Sequence, residues 1–108
     1  MTLSELANVL ESISGFSGKV VYRAWQEGQA PELPFICYLE TGSDNFAADN
    51  IAYYKQKRID IELYTETKNP AVEALVEDAL EAAGIFWDSV EIYIDDEKMY
   101  QKVYEVEV

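Results

Sequence analysis

Apolar and polar positions repeat along this chain with two periods, and the switches between them mark its elements. Residues 2–14 repeat at helical spacing. Leu3, Leu6, Ala7, Leu10 and Ile13 form one stripe, Thr2 and Glu5 have capping-box spacing, and Gly15 is a natural stop. Lys19–Ala24 reads as a short strand with two β-branched residues, followed by a loop punctuated by Gly28, Pro31 and Pro34. Pro34–Glu40 is an apolar strand. A polar loop of about a dozen residues then leads into the longest strand, Tyr54–Thr65. There Ile59, Ile61 and Leu63 point one way and Arg58, Asp60, Glu62 and Tyr64 the other, so one face is buried and one polar.

The second helix has an N-cap at Asn69, a first-turn Pro70 and an end at Gly84. Val72, Leu75, Val76, Ala79, Leu80 and Ala83 make its apolar stripe, and Glu73, Glu77, Asp78 and Glu81 its wet face. Residues 86–94 and 99–108 form a hairpin around the polar turn Asp95–Lys98. Val90, Ile92 and Ile94 alternate with Glu91 and Tyr93, while Tyr100, Tyr104, Val106 and Val108 lie opposite Val103, Glu105 and Glu107. The order α-β-β-β-α-β-β predicts a single α+β domain over residues 1–108, a mixed or antiparallel sheet packed against two helices. The strands ending at Ala24 and Val108 are its expected open edges.

With 108 residues, 49% of them apolar, the chain can bury a core, though a thin one. Charge changes the picture more. The net charge is −13, and residues 61–108 hold thirteen acids against three bases. Such a domain repels nucleic acid and anionic membranes, because phosphate contacts need Lys and Arg. The basic cluster Lys55, Lys57 and Arg58 runs against that field. Lys55 and Lys57 are expected to pair with acids across the sheet; Arg58 either does the same or meets an acidic face of an identical subunit. The opening MTLSELANVLES carries acids where a secretory signal needs bases, which predicts a cytoplasmic protein.

Little here could carry chemistry. There is no histidine, and the single Cys37 sits in the apolar run PFICYL, where it reads as a small buried hydrophobe. Asp95-Asp96-Glu97 lacks the spacing and mid-loop glycine of a calcium loop. Asp44 and Asp49 flank the long loop without a base to use them. The expectation is a protein that is not an enzyme and carries no metal or cofactor, working by docking to other proteins. Its candidate contacts are Trp25, the loop residues Asp44, Asn45, Phe46, Ala47 and Ala48, and Arg58. Trp25 either caps the core or anchors a partner, and Phe46 either folds back on the core or is held out for a neighbour.

The strand PFICYL, the loop TGSDNFAADN, the strand RIDIELYTETK and the helix after it resemble the tail-completion, or tail-terminator, proteins of long-tailed phages and prophages. The likeness is strongest over Leu33–Leu80, and the closing MYQKVYEVEV is similar as well. The resemblance implies a mixed sheet flanked by helices and a structural role in the virion. Such proteins form a homo-oligomeric ring, commonly a hexamer, on the head-proximal end of the tail tube. The ring stops tube polymerisation, meets the head connector or stopper, and lets DNA pass through its pore without specific binding. The protein would assemble in the bacterial host cytoplasm. On this reading Asp60, Glu62, Glu105 and Glu107 are candidates for an acidic lumen that repels phosphates. A head-side connector and an acidic DNA mimic that inhibits a nuclease or restriction enzyme are the competing roles.

Overall fold

The computed structural model describes the backbone of residues 1–48 and 51–108 and the side chains of residues 1–45 and 55–108. Helix α1 (Leu3–Glu11) opens with the expected capping box: Glu5 N donates to Thr2 Oγ1 at 3.1 Å and Thr2 N to Glu5 Oε1 at 3.0 Å. It ends a turn earlier than the periodicity predicts, and the chain turns through Gly15 (φ +89°) so that Phe16 enters the core. Strand β1 (Val20–Tyr22) lies parallel to β2 (Phe35–Ser43). Parallel neighbours need a crossover of about a dozen residues, and residues 23–34 provide it.

β2 runs on to Ser43, past its expected end at Glu40, and the predicted loop after it is a two-stranded arm. Strand β3 (Phe46–Ala48) pairs antiparallel with β4 (Ile51–Tyr54). The break at Lys55–Gln56 divides the predicted long strand, leaving β5 as Lys57–Thr65. The arm's apolar runs, Phe46–Ala48 and Ile51–Tyr54, are three and four residues long and are split by Asp49-Asn50, too short to show a strand period, which is why sequence alone misreads it. Helix α2 (Pro70–Ala82) follows, with Asn69 Oδ1 accepting from Val72 N at 3.2 Å. The hairpin β6 (Trp87–Ile94) and β7 (Met99–Glu107) closes the fold around the turn 95–98.

The main sheet has the order β1-β2-β5-β7-β6. Every pair but β1–β2 is antiparallel. Its strands and the two helices follow one another as α-β-β-β-α-β-β, as the pattern predicts, with the arm inserted before β5. The strand that leads to Val108 is not an edge. β7 lies between β5 and β6, so the open edges are β1 and β6.

Both helices cover the same side. Leu6 and Leu10 of α1 and Val76 and Leu80 of α2 join Ile36, Ile59, Ile61, Leu63, Tyr104 and Val106 in one core. These strand residues share a face by register, Ile36 opposite Leu63 and Ile61 opposite Tyr104. Each fully buried aliphatic contributes about 1.5–3 kcal/mol, so this seam supplies most of the driving force. The other side of the sheet carries no helix.

Candidate functional site

Along the helix-free side, register arranges the side chains in rows that cross the strands. The row nearest the arm is Arg58 of β5, then Glu107 of β7. The next is Asp60, Glu105 and Asp88, each directly opposite its neighbour across β5, β7 and β6. Then come Cys37, Glu62, Val103 and Val90, and after them Phe35, Tyr64, Gln101 and Ile92. Adjacent strands lie about 4.8 Å apart, so Asp60, Glu105 and Asp88 span only about 10 Å. Like charges placed directly opposite are destabilising; nothing in the packing requires them there.

The four acids proposed as a lumen, Asp60, Glu62, Glu105 and Glu107, therefore share one face, and Asp88 joins them. Its parity with Val90 on β6 is the signal that would have found it. Glu62 has a carboxyl held above its ordinary range, first by burial and also by Asp60, against a hydrogen bond in which the Tyr64 hydroxyl donates to it at 3.2 Å. An open cleft of about 590 Å³ lies at this end, lined among others by Arg58, Asp60, Phe86, Asp88, Glu105 and Glu107. Phe86 is 81% exposed at its mouth.

The far end of the same face is aromatic. Trp25, on the crossover, meets Phe35 edge to face at 6.0 Å, and Phe35 packs on Tyr64 at 5.2 Å. The crossover thus caps the sheet here, and Cys37 beneath it is buried. Burial, and secondarily Glu62, push its thiol up to about 11, so it is protonated and unreactive at neutral pH. Trp25 Nε1 is buried without a hydrogen-bond partner. Trp25 packs over this face through Phe35, the contact that the capping alternative expects.

The contact residues do not converge. Trp25 belongs to the Phe35 end of β2, and Asp44 follows Ser43 at the other end, about 26 Å away at 3.3 Å per residue. Asp44 N donates to Gln56 O at 2.8 Å and Asn45 Oδ1 accepts from Gln56 N at 3.3 Å, tying the base of the arm. Phe46, Ala47 and Ala48 make β3; their side chains, like all of Asp49, lie outside the described residues. Arg58 lies over Gly42, where an added Cβ would stand 2.8 Å from its Nη2. Among the described residues neither Lys55 nor Lys57 makes the expected cross-sheet pair, and every ion pair uses Lys68 or Lys102.

Those two lysines correct the wet-face reading of α2 at Glu73 and Glu77, while Asp78 and Glu81 are exposed as expected. Glu73 is buried, and its carboxylate accepts from Lys68 at 2.8 Å and from Lys102 at 3.0 Å. Lys68 also pairs with Glu91 of β6. Glu77 accepts from the Tyr104 hydroxyl at 2.8 Å. Burial raises the Glu73 carboxyl, but the two lysines outweigh it and hold it below its ordinary value. The signal was parity: Lys102 shares its face with Tyr104 and Val106, so it had to reach α2. Leu75, predicted for the stripe, is 43% exposed.

Among the described residues no group of three or more acids or thiols is set to hold a metal ion, and no helix is long and apolar enough to cross a membrane. What the open face offers, among the described residues, is a field of five carboxylates with Arg58 at one end, and the thiol beside Glu62 is the buried, protonated Cys37. No family model matches the chain, and no curated protein is similar to it.

Proposed function

We propose that this chain is a structural assembly protein of a long-tailed phage or prophage: a tail terminator. It forms a ring, most simply a hexamer, at the head-proximal end of the tail tube, stops tube growth and joins the tail to the head connector. The motif resemblance supplies the class. The observation that carries the mechanism is the gathering of Asp60, Glu62, Glu105, Glu107 and Asp88 on the side of the sheet that no helix covers.

DNA must move through such a ring without adhering. A wall of carboxylates does this passively, since phosphates are repelled over a Debye length of about 8 Å at physiological salt. An acidic row that is tolerated at a cost to the free domain is what a pore lining would look like before assembly. Purified protein added to polymerising tail tubes is the test. Negative-stain images should show uniform tubes with a ring at one end, and lysine at Asp60 and Glu105 should leave capping intact while slowing DNA delivery. Tubes of unlimited length carrying no ring would remove the reading, and normal delivery by the lysine variant would remove the mechanism.

The same row favours one competing role. Closely spaced carboxylates on an exposed face could imitate a phosphate backbone and occupy a nuclease. Dose-dependent inhibition of a host nuclease, relieved by Asp60→Asn with Glu105→Gln, would support that role instead.

A further inference from the structure

The two open edges of the sheet differ in a way that makes each a match for the other. β6 is eight residues long, contains neither proline nor lysine, and presents Val90 and Ile92 about half exposed beside its outward backbone. Natural proteins blunt such edges with bulges, lysines or prolines, and β6 has none of the latter two. The charges along it are acidic: Asp88 and Glu91 within the strand and Asp95, Asp96 and Glu97 in the turn that follows. β1, at the opposite edge, is flanked by Lys19 and Arg23, both outside every ion pair among the described residues. Its backbone also faces outward at Val20, because Lys19 O and Arg23 N are the groups engaged with β2, at 2.9 and 2.7 Å.

We infer that β6 of one copy pairs with β1 of the next, continuing the sheet from subunit to subunit. This rests on the ring reading above and names its joint. Direction follows from the topology. β1 is parallel to β2, and the three remaining pairings are antiparallel, so β6 runs opposite to β1. Copies set side by side in one orientation therefore meet as an antiparallel pair. The register that seats Val21 beside Val90 keeps both on the open face with Asp88, and it brings Arg23, just past the end of β1, level with Asp88. Glu91 is answered by Lys68 within the subunit, so Asp88 and the turn acids carry the charge of this edge. A two-fold joint of β6 with itself would double that acidity with no cation from the neighbour, whereas β1 brings Lys19 and Arg23, so charge favours the head-to-tail arrangement, the kind that closes into rings. The joint is short, limited by the three residues of β1, so it is weak singly and depends on closure of the ring.

Cysteine pairing reads this out on the protein alone. Opposite residues of an antiparallel pair have Cβ atoms about 4.5–5.5 Å apart, within the tolerance of a disulfide once side chains adjust. The double variant Val21→Cys/Val90→Cys, oxidised at high protein concentration, should give a ladder that extends past the dimer, while each single variant stays monomeric. Arg23→Asp should cut the ladder by about tenfold, as the loss and reversal of one rim charge, and adding Asp88→Arg should restore it. Far-UV circular dichroism of the reduced forms verifies that each variant is folded. Dimers from Val90→Cys alone, or a folded double variant that gives no ladder, would overturn the joint. A protein that forms the ladder yet never caps tubes would instead overturn the tail reading and leave the joint standing.

Discussion

The two sides of the sheet treat the same side chain in opposite ways. On the helix side, Glu73 and Glu77 are drawn into the packing and each is answered: Glu73 by Lys68 and Lys102, Glu77 by Lys102 at 3.5 Å and by the Tyr104 hydroxyl. On the open side, Asp60, Glu105 and Asp88 stand opposite one another with no lysine in the row. Two of the three lysines of residues 61–108 serve the first group, and Lys98 lies in the 95–98 turn. An acidic composition that served solubility alone would scatter its carboxylates. Here Lys68 and Lys102 answer acids where the helix meets the sheet, and five carboxylates gather at the end of the open face that the crossover does not cover.

The comparison breaks most visibly at Glu73. Replacing it with leucine leaves Lys102, only 18% exposed, without its closest partner. Stability at neutral pH should fall by about 3 kcal/mol, read as a lower urea midpoint at unchanged slope. Adding Lys102→Leu should return most of that loss, since an apolar pair of similar volume is often as stable as a buried ion pair. A single variant within about 0.5 kcal/mol of the parent, as for an ordinary surface site, would mean that the helix side does not need its ion pairs.

Acid titration separates the two sides without any mutation. Glu62 has a raised carboxyl, so its charged form opposes folding. Its protonated form stabilises, and that stability grows as pH falls from neutral toward the ordinary value of 4.5. Glu73 has a lowered carboxyl. Its contribution is complete above 4.5 and is lost as pH drops further, through the folded value. Stability should therefore rise on mild acidification and then decline. The rise should shrink in Glu62→Gln and the decline in Glu73→Gln. A monotonic loss from pH 7 downward in the parent would contradict the assignment of the open face as a repulsive one.

These side-by-side fates mark where the sequence was readable. The period-two run Ile59, Ile61, Leu63 fixes which face of β5 is buried, and with it the open-face placement of Asp60 and Glu62, because a one-residue slip would invert every side chain. Asn69-Pro70 fixes the start of α2 in the same local way. Strand order was not legible. It depends on contacts between residues such as Arg58 and Glu107, far apart in the chain, so the edge at β6 and the meeting of Asp88 with Glu105 appear only in the folded sheet. The ion pairs of Glu73 were hidden for a related reason. A helical wheel shows an acid beside the stripe, but the lysine that buries it arrives from β7. The arm is hidden because its two apolar runs are short and split by Asp49-Asn50.

Smaller effects sharpen the picture of the open face. Glu105 has an acid directly opposite it on both sides. Glu105→Gln should stabilise the free domain by about 0.5 kcal/mol at low salt, within the range of single cross-strand charge pairs. The gain should vanish in about 1 M salt, where screening reaches only about 3 Å. A loss of stability would show that the row is bonded rather than strained.

The smallest effect is expected at Gly42. Its φ is not in the left-handed region, so alanine fits the backbone, and removing glycine from an unfolded chain favours folding by about 0.4–1 kcal/mol. The opposing contact is with Arg58 Nη2, the far end of a flexible side chain that can swing aside. The two effects should nearly cancel, leaving the urea midpoint of Gly42→Ala close to that of the parent. If the variant is instead destabilised by more than about 1 kcal/mol, well beyond the usual surface range, then the position of Arg58 over Gly42 is itself holding the acidic end together. Arg58 would then be answering the carboxylates of the open face as Lys102 answers Glu73 across the sheet.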